Sequence, residues 1–380
     1  MSLLTLARAF GALGLSFTLG IGAASAAEIR IGQVAPYSGP LAPTGKHVGA
    51  GIQLYFDKVN ASGGVNGNTL RLVTRDDAYK SDETIKQVGE LIANEAPLAL
   101  CGLVGTGNVT KLLNSGVIDK AGIPVVGART GAAHLRRPAP ALLFHARASY
   151  GSEVRAMVQQ MHSMGINDVA VFYQDDAFGK DGLEGAKTAL KEAGMKLVAT
   201  GAYTKNSTDV SAAVNTIAKA MPMGVIMVSN TAASAAFVAA FRPANPATQL
   251  IALSVTDGPQ VAERIGNKMA RGLGVTQVVP DPVGGASPLA QEVRKAWAEH
   301  PQEGIDLNHT VLEGYLMAKV LVEGIRRAGP EPTRARLASA LNAMQGFDVG
   351  GLRIGYTPED HDGAHYTEIT VLDRNGRPIK

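Results

Sequence analysis

The sequence predicts an α/β protein made of two doubly wound, Rossmann-like lobes, each built on a parallel sheet, with a ligand cleft between them. The first observation is that short apolar stretches alternate with amphipathic helical stretches along most of the 380 residues. The second is that this alternation starts anew at Val169. The third is that the segment after Pro288 is mainly helical and has too few strands for a separate domain. We therefore expect its helices to return and cover the first lobe.

The elements of the first lobe follow from periodicity and from turn residues. Short apolar runs predict strands over 29–34, 70–74, 98–103, 124–127 and 141–146. Amphipathic spacing predicts helices over 46–60, 82–94, 108–120 and 151–164. The Gly- and Asn-rich segment 62–68 predicts tight turns between the first helix and the second strand.

The same signals predict the second lobe and the returning segment. Its expected strands are 169–173, 196–202, 224–228, 249–253 and 273–278, and its expected helices are 181–193, 208–220, 232–241 and 259–265. The later helices are expected over 289–299, 310–328 and 333–344, before two closing strands over 352–356 and 366–372.

The composition excludes some classes of function. With 46% hydrophobic and 18% charged residues, the chain is typical of a globular protein with a sizeable core. The formal net charge is only +3, and no run of Lys or Arg is longer than two residues. Neither feature fits a nucleic-acid-binding protein. Cys101 is the single cysteine and lies in an expected strand, so we expect a buried thiol and no internal disulfide.

The first 26 residues have the pattern of an export signal. Arg8 precedes the apolar stretch 9–23, and Ala24-Ser25-Ala26 fits a cleavage site with small residues. The stretch is shorter than the roughly 20 apolar residues that a membrane-spanning helix needs. We therefore expect export, cleavage after Ala26, and a soluble mature protein.

The segment 98–130 contains a candidate anion site. The turn Gly105-Thr106-Gly107 follows an apolar strand and opens a helix. The free N–H groups at a helix N-terminus, together with the Thr106 hydroxyl, suit a carboxylate group. The alternative is that Thr106 only caps its own helix.

A second group of polar atoms follows the next strand of the same segment. The carbonyl of Ala128 and the hydroxyl of Thr130 are acceptors that suit an ammonium group. Because the carboxyl ends of neighbouring parallel strands share one edge, we expect them to lie near Thr106. Arg129, between them, either pairs with a ligand carboxylate or points to solvent.

Catalytic, metal and cofactor sites are not indicated. The patterns G-x-S-x-G, H-E-x-x-H and C-x-x-C are missing from the sequence. Residues 39–46 resemble a phosphate-binding loop, but their spacing is wrong and His47 replaces its Ser or Thr. His361 and His365 lie in a turn rich in Asp and Gly, so we expect exposure to solvent rather than a shared metal.

Two acidic pairs, Asp76-Asp77 and Asp175-Asp176, each follow a strand. General acid/base catalysis is one interpretation of such pairs. N-capping of the next helix is the simpler one, and it is the role that we expect.

With its elements in place, the chain resembles the branched-chain amino-acid-binding proteins, the leucine/isoleucine/valine-type periplasmic receptors of ABC importers. The resemblance covers residues 28–375. It is carried by Ile31-Gly32, Tyr37-Ser38-Gly39-Pro40 with Thr44-Gly45, Asn60-Ala61-Ser62-Gly63-Gly64-Val65-Asn66-Gly67, Arg75-Asp76-Asp77, Ala121-Gly122-Ile123-Pro124 and Asp175-Asp176-Ala177-Phe178-Gly179. It implies the type I periplasmic-binding-protein fold, with two lobes that close on the ligand.

The resemblance also implies a hinge of three crossovers, near Ala146, Val279 and Gly350. The first lobe would then comprise 27–146 and 280–350, and the second 147–279 and 351–380.

Ligand-binding roles can be carried over residue by residue from this resemblance. Thr106, with the neighbouring Gly107, matches the position that holds the ligand carboxylate, and Ala128 and Thr130 match those that receive the ammonium. Phe178 takes the aromatic position of the second lobe. Thr44 and Tyr150 complete the expected cavity wall.

Several positions depart from the family pattern. The acidic partner of the ammonium aligns with Ser254, although Asp257 is close, and a tyrosine position aligns with Asn230. Arg129 replaces a small residue. The family disulfide is missing, because Tyr79 and Val104 stand where its cysteines would be. The loss of the carboxylate at Ser254 and the gain of Arg129 favour carboxylates without an amine.

The resemblance implies a solute-binding component of an ABC importer that carries a small carboxylate-bearing ligand, such as a branched-chain or other amino acid, to a permease and its ATPase in the inner membrane. Aromatic or keto acids are alternative ligands, and a ligand-sensing module of a signalling system is an alternative role. An exported enzyme is a further alternative, without a nucleophile or acid/base pair to support it. We expect a periplasmic monomer without cofactor, metal or nucleic acid.

Overall fold

A computed structural model describes residues 27–380, and the expected export signal therefore lies outside the described residues. The predicted α/β architecture is confirmed, with a five-stranded sheet in one lobe and a seven-stranded sheet in the other. From Ala27 to Lys380, the model contains no helix with the length and apolar character needed to cross a membrane.

The first part of the chain forms the sheet of the first lobe. Its elements are β1 (Glu28–Ala35), α1 (Ala42–Ala61), β2 (Thr69–Asp76), α2 (Ser81–Glu95), β3 (Ala99–Cys101), α3 (Thr106–Asn114), α4 (Val117–Ala121), β4 (Val125–Val126), a short 3₁₀ turn (Ala133–Leu135) and β5 (Leu143–Phe144). The strand order is β2-β1-β3-β4-β5, and all neighbours are parallel. Their carboxyl ends therefore share one edge of the sheet.

The second lobe repeats this arrangement. Its elements are α5 (Tyr150–Ser163), β6 (Asp168–Gln174), α6 (Ala177–Glu192), β7 (Lys196–Tyr203), α7 (Ser211–Lys219), β8 (Gly224–Val228), α8 (Thr231–Phe241), β9 (Gln249–Ala252), α9 (Gly258–Ile265), α10 (Asn267–Ala270) and β10 (Gly274–Gln277). Within the group β6 to β10, all paired strands are parallel.

The remaining chain serves both lobes. Its elements are α11 (Pro288–Glu299), α12 (His309–Ala328), α13 (Arg334–Asn342), β11 (Phe347–Asp348), β12 (Arg353–Ile354), β13 (Glu368–Leu372) and β14 (Pro378–Ile379). The helices return to the first lobe, where α12 packs along α1. Strands β13 and β14 instead add an antiparallel edge to the second sheet, which has the order β14-β13-β10-β9-β8-β6-β7.

Two glycines allow α1 and α12 to approach closely. A Cβ atom on Gly51 would lie 2.0 Å from the carbonyl oxygen of Val311, and one on Gly314 would lie 2.2 Å from that of Val48. Neither space admits a side chain, because backbone atoms cannot yield as a flexible side chain can. This contact fixes the position of Glu313, the residue before Gly314, at the centre of the molecule.

The third crossover lies later in the chain than the expected position near Gly350. Tyr356 and Ala364 are part of the core of the first lobe, and the Tyr356 hydroxyl donates to the carbonyl of His145 at 2.9 Å. The next element, β13, belongs to the second sheet. The chain therefore crosses after Ala364.

The predicted helix over 108–120 is two helices in the structure. Its first half, α3, begins two residues early, at Thr106, and ends at Asn114. Gly116 then takes φ +72°, a left-handed conformation that ends one helix and precedes α4. The predicted strand over 98–103 is likewise short, because Gly102 with φ +71° ends β3.

Candidate functional site

The carboxyl ends of both sheets border one cavity between the lobes. Its interior leaves about 30 Å³ for the centre of a water-sized sphere. The residues that line it are Leu41, Thr44, Tyr79, Val104, Gly105, Thr106, Arg129, Tyr150, Phe178, Asn230 and Val255. Apolar and aromatic side chains thus form most of the wall, with a few polar groups among them, as is typical of small-molecule sites.

The structure brings together some of the residues predicted from the sequence and leaves others outside. Those that line the cavity are Thr44, Thr106, Arg129, Tyr150, Phe178 and Asn230. Those that do not are Gly107, Ala128, Thr130 and Ser254.

Thr106 is the first residue of α3, and its side chain does not cap the helix. Its hydroxyl instead forms a hydrogen bond of 2.7 Å with the hydroxyl of Thr130. Gly105 provides the turn into the helix with φ +100°, and a Cβ atom there would lie 2.4 Å from the Tyr79 ring. The first N–H groups of α3 have no partner within the helix, which leaves donors at the cavity wall.

The two expected ammonium acceptors are engaged within the protein. The carbonyl of Ala128 accepts from the N–H of Thr130 at 2.9 Å. The hydroxyl of Thr130 is bonded to Thr106 and also accepts from the N–H of Ala132 at 3.3 Å.

Arg129 does not point to solvent, since only 3% of the residue is exposed. Its Nη1 lies 2.5 Å from Oε2 of Glu313, and its Nη2 donates to the carbonyl of Ser254 at 3.0 Å. Its Nε–H is buried without an acceptor. The guanidinium therefore joins the first lobe to the second while it borders on the cavity.

Arg129 begins a line of four buried charges that we call the ion chain: Arg129, Glu313, Arg147 and Glu153. Arg147 donates to Oε1 of Glu313 at 3.0 Å and to Oε1 of Glu153 at 2.8 Å. Although burial alone would lower it, the two glutamates raise the pKa of Arg147 above its ordinary value. The ion chain contains two cations and two carboxylates and is therefore neutral overall.

The ion chain ends in hydroxyl and amide groups of the second lobe. Glu153 accepts from the N–H of Ser254 at 2.9 Å and from the Thr276 hydroxyl at 2.6 Å. The Ser254 hydroxyl in turn accepts from Arg147 at 2.5 Å. Ser254, expected in the cavity wall, thus lies behind it as a partner of the ion chain.

Tyr79 is a cavity residue that the sequence reasoning did not include among the site residues. It has φ +59°, unusual for a residue with a side chain, and its N–H donates to Oδ1 of Asp77 at 2.9 Å. Burial, with Asp176 nearby, holds the pKa of the Tyr79 hydroxyl well above its usual value, so it remains protonated. The departure of Tyr79 and Val104 from the family cysteines was visible in the sequence, and both residues line the cavity.

The two lobes are in contact across the cleft. Lys205 of the second lobe donates to Oδ1 of Asn108 at 2.8 Å and lies 4.1 Å from the centroid of the Tyr79 ring. The N–H of Ala133 donates to Oδ1 of Asp181 at 2.8 Å. The structure therefore has the closed arrangement of the lobes.

The acidic pairs have different roles. Asp176 caps α6, accepting from the N–H groups of Phe178 and Gly179, which confirms the expected capping. Asp77 is not a helix cap: it accepts from the hydroxyl of Thr84 at 2.7 Å as well as from the N–H of Tyr79.

The expected exposure of His361 is wrong. The residue is 1% exposed. Its Nδ1 lies 2.9 Å from the carbonyl oxygen of Pro140, and its Nε2 lies 2.7 Å from Oδ1 of Asn342. Burial lowers the pKa of His361, so the neutral ring is favoured. Throughout 27–380, the side chains of His, Cys, Asp and Glu form no group of three that could hold a metal ion.

Comparisons with known proteins agree with this geometry. The sequence model of the family described as periplasmic binding protein matches residues 28–377. A substrate-binding periplasmic protein of Ralstonia solanacearum is 35% identical, with a TM-score of 0.88 over 92% of this chain and 99% of that one. An extracellular ligand-binding receptor of Verminephrobacter eiseniae is 29% identical, with a TM-score of 0.86 over 93% of this chain and 100% of that one.

A curated relative of Brucella suis, named Leu/Ile/Val-binding protein homolog 7, is 25% identical over 362 residues. The alignment covers 90% of this chain and 84% of the relative.

Proposed function

Because the chain belongs to the periplasmic binding protein family, we propose that it is the solute-binding component of an ABC importer. It binds a small carboxylate-bearing ligand in the cavity between the lobes and delivers it to a permease and its ATPase. The protein acts in the periplasm, after export and removal of residues 1–26. It holds its ligand without changing it chemically.

One observation carries this proposal: a cavity lined by residues of both lobes places the start of α3 beside apolar and aromatic side chains. The unpaired N–H groups and the Thr106 hydroxyl suit a carboxylate, because donors at a helix N-terminus favour negative charge. Tyr150 and Phe178, whose ring centroids are 5.2 Å apart, offer an apolar wall for the rest of the ligand. Opening of the lobes would release the ligand.

The relatives named for Leu/Ile/Val binding support a ligand of amino-acid size. The proposal therefore covers branched-chain and other amino acids as well as aromatic and keto acids of similar size. These ligands share a carboxylate, and this is the group that the start of α3 is expected to hold.

The proposal is tested by removing the Thr106 hydroxyl. Thr106→Val keeps the shape of the side chain but withdraws a donor from the carboxylate. We expect binding to weaken by about 1–3 kcal/mol, or roughly 5- to 150-fold, in isothermal titration calorimetry. The ligands are first found by a thermal-shift screen of amino acids, keto acids and aromatic acids.

Matched variants separate this effect from damage to the helix. Thr106→Ser keeps the hydroxyl and should bind nearly as well as the wild type. Thr110→Val changes a threonine one turn further along α3, outside the cavity wall, where the hydroxyl donates to the carbonyl of Thr106 at 2.8 Å. Equal affinities in Thr106→Val and the wild type would remove Thr106 from the site.

A further inference from the structure

The side chains that line the cavity include one ionic group and no carboxylate. The ionic group is the guanidinium of Arg129, and the other lining residues are uncharged. A buried ammonium group needs acceptors, preferably a carboxylate, because an unpaired buried charge is strongly disfavoured. The cavity wall offers a ligand ammonium no anionic partner.

Two acceptors behind the cavity wall are occupied by Arg129 itself. Its guanidinium donates to the carboxylate of Glu313 and to the carbonyl of Ser254. One carboxylate and one carbonyl are the kind of acceptor set that an ammonium group requires. A cation of the protein thus takes the hydrogen bonds that a cationic ligand would need.

We infer that the Arg129 guanidinium stands in for the α-ammonium group of a ligand, so that the cavity selects small carboxylates without an amine and rejects the corresponding α-amino acids. This inference rests on the proposed function and names its ligand class. Arg129 acts as a specificity-determining residue in two ways. It consumes the acceptors, and it places a positive charge where a ligand ammonium would meet repulsion.

The same geometry favours the carboxylate group of such a ligand. The start of α3 and the Thr106 hydroxyl provide donors, and the Nε–H of Arg129 is buried without an acceptor. A ligand oxygen within reach of this N–H would satisfy it. The rest of the wall, with Val104, Val255 and Phe178, suits an apolar body rather than a second polar group.

Glu313 provides a test in which the preference between the two ligand classes should be reversed. It is 2% exposed, and its second oxygen is held by Arg147. If Arg129 is shortened, Oε2 of Glu313 loses its partner and faces the space that the guanidinium has left. A ligand ammonium could then take the place of the guanidinium.

The experiment measures affinities for pairs of ligands that differ only in the α-ammonium group. The probes are alanine and propionate, leucine and isocaproate, and phenylalanine and hydrocinnamate, titrated by calorimetry into the full mature chain. For the wild type, we expect the acid without the amine to bind at least about tenfold more tightly than its amino-acid partner.

Variants then test the role of Arg129. In Arg129→Met, we expect the preference to reverse, with amino-acid affinity rising by about tenfold over the wild type. Arg129→Lys keeps a cation and should keep the wild-type preference. Arg129→Met combined with Glu313→Gln should lose the gain, because the ammonium then lacks its carboxylate.

The outcomes separate the inference from the proposed function. If the amino acid of a pair binds the wild type as tightly as its partner or more tightly, the inference is wrong while the solute-binding function stands. An unchanged preference in folded Arg129→Met would also overturn the role of Arg129. The wild-type comparison needs no variant, so it decides the ligand class even if Arg129→Met does not fold. Failure of every probe to bind would contradict the proposed function and the inference together.

Discussion

Replacing Arg147 by methionine removes the central cation of the ion chain and leaves two carboxylates without it. Arg147 is 0% exposed and donates to Glu313, Glu153 and Ser254. Removing one partner of a buried ion pair costs about 3–5 kcal/mol, because the remaining charge stays buried. Glu313 keeps Arg129, and Glu153 keeps the N–H of Ser254 and the hydroxyl of Thr276. We therefore expect a loss near 3 kcal/mol, the lower end of that range.

The loss is measured by urea denaturation followed by circular dichroism. With a slope of about 3 kcal/mol per molar urea, the upper end of the usual range for small proteins, the midpoint should fall by about 1 M. A matched control is Lys187→Met, which breaks an exposed pair with Glu184 at 2.7 Å. It should change stability by less than about 0.5 kcal/mol.

A second variant tests the cause of the loss. Adding Glu153→Gln to Arg147→Met should recover part of the stability, since the carboxylate without a cation is then removed and Glu313 keeps its bond to Arg129. The reasoning is refuted if Arg147→Met is within about 1 kcal/mol of the wild type. It is also refuted if the double variant is less stable than the single one.

Two further predictions concern acid stability and the closed arrangement. Burial lowers the pKa of His145 to about 3, whereas an unfolded histidine titrates near 6.5. As the pH falls below about 6.5, only the unfolded chain gains this proton, so this group lowers the free energy of unfolding by about 1.4 kcal/mol per pH unit. Urea titrations between pH 7 and 4.5 should show a shallower slope for His145→Leu, and an equal slope would contradict the assignment. Lys205→Met removes contacts with Asn108 and Tyr79 across the cleft, and we expect ligand dissociation to become about tenfold faster in stopped-flow measurements. Lys180→Met, which breaks an exposed pair within the second lobe, should leave this rate unchanged.

The lobes could be predicted from the sequence because their strands are short, buried and apolar. β8 (Gly224–Val228), for example, has the predicted bounds, and each of its residues is buried. The break between α3 and α4 was missed, since Gly116 lies in a stretch with continuous helical spacing. The late crossover was missed because residues 351–364 contain turn residues, whose packing depends on distant parts of the chain.

The candidate site was predictable where local rules place a residue. The end of a strand and the start of a helix located Thr106, whereas Phe178 was placed by the resemblance to the family. Glu313 had no such signal, because it lies within a long helix, 184 residues from its partner Arg129. A buried charge of this kind is found only when the lobes are assembled.

The ion chain links the cavity to both lobes. Arg129 borders on the cavity, and Arg147 joins Glu313 on α12 to Glu153 on α5. In the opening that the proposed function requires, the bond from Arg129 to Ser254 breaks and water reaches charges that are buried in this structure. Hydration then offsets much of the lost attraction, as it does for buried ion pairs in general. The ion chain therefore fixes how the lobes meet without holding them shut, and the ligand's own contacts are left to decide between the open and closed arrangements.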